Sequence, residues 1–317
     1  SLQTGGSETM LVDIINDQVS TNNLSLIIFN DQINITNLSK IDRRVTIYRL
    51  NRKEKSRNII PVIKLNLLLL RIWPDAIHCH HVSAARIILI KRNLVFTAHS
   101  TNISDKIIKT YKRVFAISET VKDDLYKSHN IRAKVIYNGI DTNIFKPSSS
   151  NDNVEIRNKY EIGKSFLILG VASPWSKRKG LDDFIKLSYS LNQNEKILLI
   201  GLNDKQIQSL PKNIIGVKKT ENKQELVNLY SAADVYINLS VEETFGLTTA
   251  EALACGTPAI VYKSTACPEI IDNFTGIAVE KKNILAVINA INIIKMNGKN
   301  YYSLYCRERA IKYFNKD

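Results

Sequence analysis

At 317 residues the chain has room for two ordinary domains, each with its own core. It is 44% hydrophobic and 23% charged, with few glycines and prolines, which excludes collagen-like and low-complexity classes. The net charge is +14, and residues 1–150, with 22 Lys and Arg against 12 Asp and Glu, carry +10 of it. The densest run is Arg43, Arg44, Arg49, Arg52, Lys53, Lys55 and Arg57. Basic charge of this kind attracts nucleic acid, anionic lipid or a diphosphate, or is simply a solvated surface. The longest apolar stretch, IIPVIKLNLLLLRIW at 59–73, is too short and too interrupted to span a bilayer. No basic start or apolar run opens the chain, so no signal peptide is expected. Cys79, Cys255, Cys267 and Cys306 are widely and irregularly spaced, which points to a reducing cytoplasm rather than to disulfides or zinc.

Short β-branched runs then alternate with helical periodicity, the pattern of parallel α/β architecture. Strands are predicted near 24–30, 45–50, 76–80, 94–99, 114–118 and 134–137, with helices near 8–19, 61–72, 84–91, 105–112 and 120–128. The polar stretch PSSSNDN at 147–153 is the expected linker. A second series follows: strands near 166–172, 196–200, 214–218, 235–239, 259–262 and 276–279, with helices near 181–191, 223–232 and 248–255 among them. Two alternating series mean two domains, expected at 1–148 and 149–317, with the last helix a candidate to pack back on the first. Such sheets bind ligands beyond the carboxyl ends of their strands, so two facing domains would hold them in the cleft between. The opening SLQTGG already reads as the loop after a first strand, as if that strand were missing or the chain cut late.

The most specific segment is SVEETFGLTTAEALACGTP at 240–258. Glu243 falls in the loop after a buried strand and Glu251 on the following helix, seven residues between them. Phe245, Gly246, Leu247 and Thr248 lead into that helix; Gly246 permits close backbone approach, and the first-turn amides form an anion site. A phosphate there would have a carboxylate on either side, which suits a nucleotide diphosphate-sugar. The plain alternative is two helix-start acids favoured by the helix dipole.

The segment resembles the acidic signature of the retaining glycosyltransferases of family 4, also called glycosyltransferase group 1, which have the GT-B fold of two Rossmann-like domains. The resemblance extends from LVNLYSAADVYINLS upstream to PAIVYKSTACPEII downstream, and VIYNGID at 135–141 with FKP at 145–147 is similar to the family's joining segment. It implies that Glu243 contacts the transferred sugar, that Glu251 contacts the ribose, and that the amides from Phe245 to Thr248 hold the diphosphate. Lys177-Arg178-Lys179-Gly180 follows a strand end, where cations can neutralise a departing diphosphate; by itself this is a solvated charge cluster, but Lys179 matches the family's Lys-Gly lysine. Family members often carry an arginine after the strand glycine, where this chain has Val171 after Gly170; Arg178 is expected to replace that charge. Thr4-Gly5-Gly6-Ser7-Glu8, a weak signal alone, resembles the first-domain glycine loop facing the diphosphate and acceptor, with Gly5 and Gly6 near the donor. His99 matches the histidine placed beside the reacting sugar. His78, His80 and His81 invite a metal hypothesis, but no acidic partner accompanies them and none is expected.

A glycosidase also uses two carboxylates, but those flank a scissile bond, whereas Glu243 and Glu251 border one helix turn. A nucleotide-sugar epimerase shares the donor site and stays open as the alternative. A basic nucleic-acid-binding protein lacks any recognised motif, and an oxidoreductase lacks Gly-x-Gly-x-x-Gly. The reading is a retaining hexosyltransferase using a nucleotide diphosphate-sugar, UDP-linked ahead of GDP-linked, with no metal or cofactor required. Retention is implied by the family. The charge asymmetry, with the apolar 59–73 stretch beside it, further suggests a lipid-linked or oligosaccharide acceptor in bacterial surface polysaccharide synthesis. The enzyme would then be cytoplasmic and peripheral at the inner face of an anionic membrane, with most of the 59–73 apolar face nevertheless buried against the sheet.

Overall fold

A computed structural model describes residues 2, 3 and 6–316. The chain divides between Ile136 and Tyr137 into two compact units.

In the first unit β1 (Ser25–Asn30) and β2 (Thr46–Arg52) form a parallel pair, Ser25 opposite Thr46. Leu2 pairs in parallel with Ile33 and is buried with Val12, Ile15, Val19, Ile28, Ile41 and Val45. Helix Gly6–Gln18 supplies Val12 and Ile15, three apart on one helical face, and Val19 follows directly after its last residue. A second parallel sheet runs β3 (Ile77–Cys79), β4 (Leu94–Ala98), β5 (Arg113–Ala116) and β6 (Lys134–Val135), in that order. The helices expected at 84–91 and 105–112 are shorter than periodicity suggests: Ala84–Ile87 is a single turn, and Lys106–Thr110 is a 3₁₀ helix capped by the Asp105 side chain.

Helix Ile60–Ile72 starts on a proline in its first turn and ends at Trp73 in a left-handed conformation. It buries Pro61, Leu65, Asn66 and Leu69. Asn66 donates to the Ile87 carbonyl and accepts from the Leu89 amide, both at 2.8 Å, which pins the helix to the 84–89 segment. The expectation that most of its apolar face is buried does not hold. The opposite face, Ile60, Ile63, Leu67 and Leu70, is half or more exposed, and Leu67 reaches 60%. The helix is apolar on two sides, and packing against one sheet covers only one of them.

The second unit is one six-stranded parallel sheet: β7 (Phe166–Val171), β8 (Glu195–Ile200), β9 (Ile214–Val217), β10 (Val235–Asn238), β11 (Ala259–Tyr262) and β12 (Gly276–Val279). Their order is β9-β8-β7-β10-β11-β12, so the chain starts centrally, winds outward one way, returns and winds outward the other. The reversal lies between β7 and β10, the switch point at which such sheets open a crevice. Strands β10 and β11 are buried along their whole length, as expected where helices cover both faces.

The polar 147–153 stretch is not a linker. Ser149 and Asp152 form a reciprocal capping box that starts helix Ser150–Lys159. Residues 137–147 pack on the second unit: Phe145 lies against Tyr230, Arg307 donates to the carbonyls of Thr142, Phe145 and Ala254, and the Ile140 backbone bonds Phe314 and Lys316 at 2.7 and 3.0 Å. The last helix, Lys299–Phe314, packs on helix Leu247–Ala254 of the same unit.

Candidate active site

The loops leaving β7 and β10 meet at the switch point. The first passes through a 3₁₀ turn, Lys177–Lys179, to Gly180, whose φ of 81° is left-handed. A Cβ there would lie 2.4 Å from the Leu239 carbonyl oxygen, so both conformation and close approach require glycine. The Val241 amide donates to the Arg178 carbonyl at 2.9 Å, joining the loops by backbone. Over this contact Lys179 Nζ meets Glu243 Oε2 at 2.5 Å, both side chains about one-fifth exposed. Glu243 is itself fixed: its amide donates to Thr265 Oγ1 at 2.7 Å and its carbonyl accepts from the Ala266 amide at 3.1 Å. Arg178 is exposed, with no ion pair among the described residues.

After β10 the chain turns through Gly246, φ 107°, into helix Leu247–Ala254. Gly246 has no side chain to cap the helix, and its carbonyl accepts from the Thr249 and Ala250 amides. The Leu247 and Thr248 amides lie in the first turn, which no carbonyl of the helix can satisfy. That opening is an anion site. It is rigid, because Tyr236 Oη donates to Thr248 Oγ1 at 2.7 Å and Asn238 Nδ2 donates to Thr249 Oγ1 at 3.2 Å. Phe245 is 2% exposed, its ring against Tyr137 and Phe314, so any part it takes in holding an anion falls to its backbone.

Glu251 sits on the same helix and accepts from Tyr230 Oη at 2.9 Å. Burial pushes its carboxyl up to about 7, against which the Tyr230 hydrogen bond and the Lys223 charge act. The group is therefore poised to ionise near neutrality and to accept hydrogen bonds as it does so.

His99 belongs to the first unit, one residue past β4. Its Nε2 lies 3.0 Å from His80 Nδ1, and His78 Nε2 lies 2.8 Å from Thr97 Oγ1. Burial, reinforced by neighbouring histidines, depresses His99 to about 4 and His80 to about 3, so both rings are neutral at pH 7. His99 Nδ1 is buried without a hydrogen-bond partner. Gly6 opens the first helix of this unit, whereas Gly5 lies outside the described residues. Among the described residues no group of three or more His, Cys, Asp or Glu is placed to hold a metal.

Of the residues singled out from sequence, Lys179, Glu243, Gly246, Leu247, Thr248 and Glu251 thus gather around one strand-end crevice of the second unit. Tyr230, Tyr236, Asn238 and Thr265, which hold them, were not. The available signal was polar atoms inside apolar runs: a buried Tyr hydroxyl needs a partner, and both tyrosines supply one to a site residue.

Comparison with known proteins identifies the family and the fold. Residues 152–313 match the family described as Glycosyl transferases group 1, and residues 4–144 match Glycosyltransferase Family 4. The O-antigen chain mannosyltransferase RfbU of Salmonella typhimurium is 25% identical over 177 residues, which are 52% of this chain and 46% of RfbU. The N-acetyl-alpha-D-glucosaminyl L-malate synthase of Bacillus anthracis is 26% identical over 231 residues, 63% of this chain and 59% of the synthase. The matches thus span about half of these relatives' length. The crystal structure of Anabaena Alr3699/HepE in complex with UDP is 20% identical, with a TM-score of 0.82 over 100% of this chain and 94% of that one. The chain has the GT-B fold and belongs to the group 1 glycosyltransferases, glycosyltransferase family 4.

Proposed function

We propose that this protein transfers a hexosyl unit, with retention, from a nucleotide diphosphate-sugar to a hydroxyl of a glycan acceptor in bacterial surface polysaccharide assembly. The observation that carries the proposal is the Lys179–Glu243 pair beside the open amides of helix Leu247–Ala254, at the switch point of a doubly wound sheet. An anion on those amides has a cation beside it, a carboxylate at one edge and Glu251 at the other. That is the chemistry of a diphosphate between a sugar and a ribose. As the sugar–phosphate bond breaks, negative charge grows on the departing diphosphate, and Lys179, the first-turn amides and Arg178 stabilise it in place. These fixed charges do the electrostatic work without a metal. Retention rests on the family resemblance. UDP stands ahead of GDP as the nucleotide, a choice supported by the UDP bound in the Anabaena structure.

Calorimetric titration with UDP, GDP and their sugars tests this reading together with Glu251. Ribose hydroxyls donate to the ionised carboxylate, so the ligand favours the deprotonated form. Affinity should rise as pH rises toward the Glu251 value of about 7 and level off above it, with a proton released on binding. Glu251→Gln should flatten that slope and weaken nucleotide binding at pH 8 by about tenfold, one charged hydrogen bond. Binding of no nucleotide by the folded protein would sink the assignment.

The acceptor we propose is lipid-linked, presented at an anionic cytoplasmic membrane face. Support comes from the uncovered side of helix Ile60–Ile72. Trp73, with the Arg92 guanidinium 5.8 Å from its ring, and Leu89 are exposed as well, and Lys64 and Arg71 border the helix stripe. Apolar side chains rimmed by cations suit a bilayer interface with anionic headgroups and would repel a second copy of the same face. No helix among the described residues is long and apolar enough to cross a membrane. Leu67→Ser with Leu70→Ser should cut co-sedimentation with anionic liposomes about tenfold or more, and added salt should also lower it. Equal binding to neutral and anionic liposomes, or none to either, would remove this acceptor surface and leave the donor chemistry standing.

A further inference from the structure

Strands β3 and β4 lie side by side with His78 opposite Val95 and Cys79 opposite Phe96. Alternate residues share a face, so His78 and His80 from one strand meet Thr97 and His99 from the other. The contacts form two rungs, His78 Nε2 to Thr97 Oγ1 at 2.8 Å and His80 Nδ1 to His99 Nε2 at 3.0 Å, with the His80 and His99 rings stacked at 5.3 Å. The second rung joins two neutral imidazoles, so one proton lies in it, on one nitrogen or the other.

The surroundings choose which. If His80 Nδ1 carried the proton, His99 would accept through Nε2 and its own N–H would sit on Nδ1, buried without any acceptor. Orphaned buried N–H groups are the rarer fault in folded proteins; an unfilled acceptor is more often tolerated. If His99 Nε2 carries the proton, it donates to His80 Nδ1, and the N–H of His80 moves to its Nε2. That nitrogen has no hydrogen-bond partner among the described residues and is not sealed from water. Every N–H then has somewhere to go, and the one unfilled atom is a lone pair on His99 Nδ1.

We propose that His80 is a positioning residue for His99: by accepting the Nε2–H of His99 it holds that ring as a hydrogen-bond acceptor, with Nδ1 open to a substrate hydroxyl. That the hydroxyl belongs to a sugar rests on the transferase reading; the tautomer does not. A ring held this way takes a donor group, so a sugar lacking the hydroxyl leaves a buried lone pair unfilled, the situation in which a polar site discriminates strongly. His78 and Thr97 keep the His80 ring in place from behind.

The test is two-bond ¹H–¹⁵N correlation spectroscopy of ¹⁵N-histidine-labelled protein, with the His99 signals assigned through His99→Gln. The expected spectrum between pH 6 and 8 shows His99 protonated on Nε2 and bare on Nδ1. His80→Leu keeps the packing but removes the acceptor, so His99 should lose its single tautomer. The kcat/KM for the full donor should fall about tenfold or more, with inhibition by free nucleoside diphosphate unchanged. His80→Asn, whose Oδ1 occupies the place of the imidazole Nδ1, should restore both. A His99 Nδ1–H in the wild-type spectrum, a His80→Leu protein with unaltered tautomer and kinetics, or an Asn variant as impaired as the Leu variant would overturn the proposal. If no nucleotide-sugar is turned over, the transferase reading and the sugar hydroxyl fall with it, while the spectrum still decides the tautomer.

Discussion

Lys179→Ala is expected to lower kcat about 10²- to 10³-fold with every nucleotide-sugar the protein accepts, the loss typical of removing one preorganised group from a developing charge. The lysine is preorganised by covalent and packed neighbours: it ends a 3₁₀ turn, precedes a glycine wedged against Leu239, and is held at 2.5 Å by Glu243. Its charge is therefore already aimed before the diphosphate departs, and little reorganisation is left for the reaction step. Because the charge it offsets grows during that step, kcat should fall more than nucleotide affinity. Arg178 is exposed and held by no ion pair among the described residues, so Arg178→Ala should cost about tenfold if it stands in for the arginine that Val171 replaces. Wild-type turnover in a folded Lys179→Ala protein would dismiss the lysine, and a silent Arg178→Ala would dismiss the compensation.

Glu243→Gln should separate binding from chemistry. Turnover should fall about 10²-fold, since the carboxylate would face the sugar under reaction. Free nucleoside diphosphate, however, should bind as tightly as before or more tightly. The reason lies in the ion pair: the carboxylate that holds Lys179 also neutralises it, and the amide leaves that cation fully available to phosphate. Kinetics combined with direct UDP titration measures both quantities. A parallel loss of affinity and turnover would mean that Glu243 acts chiefly by placing Lys179, and the double variant with Lys179→Ala would then add nothing further.

The second unit was legible strand by strand because β7 to β12 are short β-branched runs bounded by turns, and 259–262 and 276–279 are matched to the residue. The candidates around Gly246 stood out through the resemblance of 240–258 to the family signature; the spacing of Glu243 and Glu251 alone suits two helix-start acids equally well. What composition could not distinguish is what a polar or apolar run faces. Ser149 and Asp152 read as loop residues, yet the same side chains are those that cap a helix. Helix Ile60–Ile72 carries apolar residues through more than half its circumference, and periodicity does not say which arc meets the sheet. Nor does spacing join Lys179 to Glu243 across 64 residues, or Tyr230 to Glu251 across 21: the first pair exists because β7 and β10 are neighbours in the sheet though far apart in the chain, the second because helices Lys223–Ala232 and Leu247–Ala254, on either side of β10 in sequence, pack together.

The Ile140 backbone is bonded on both sides to the 314–316 segment, Thr142 Oγ1 donates to Asn315 at 2.9 Å, and Lys316 pairs with Asp141 at 2.8 Å. The second unit is thus a closed cassette, its incoming and outgoing segments fastened together like the ends of a clasp. A chimera that exchanges donor specificity between relatives should be spliced before Tyr137. A splice at the polar 147–153 stretch would pair one parent's clasp strand with another's closing helix, severing Phe145 from Tyr230 and leaving the Arg307 guanidinium to carbonyls it was not shaped to meet.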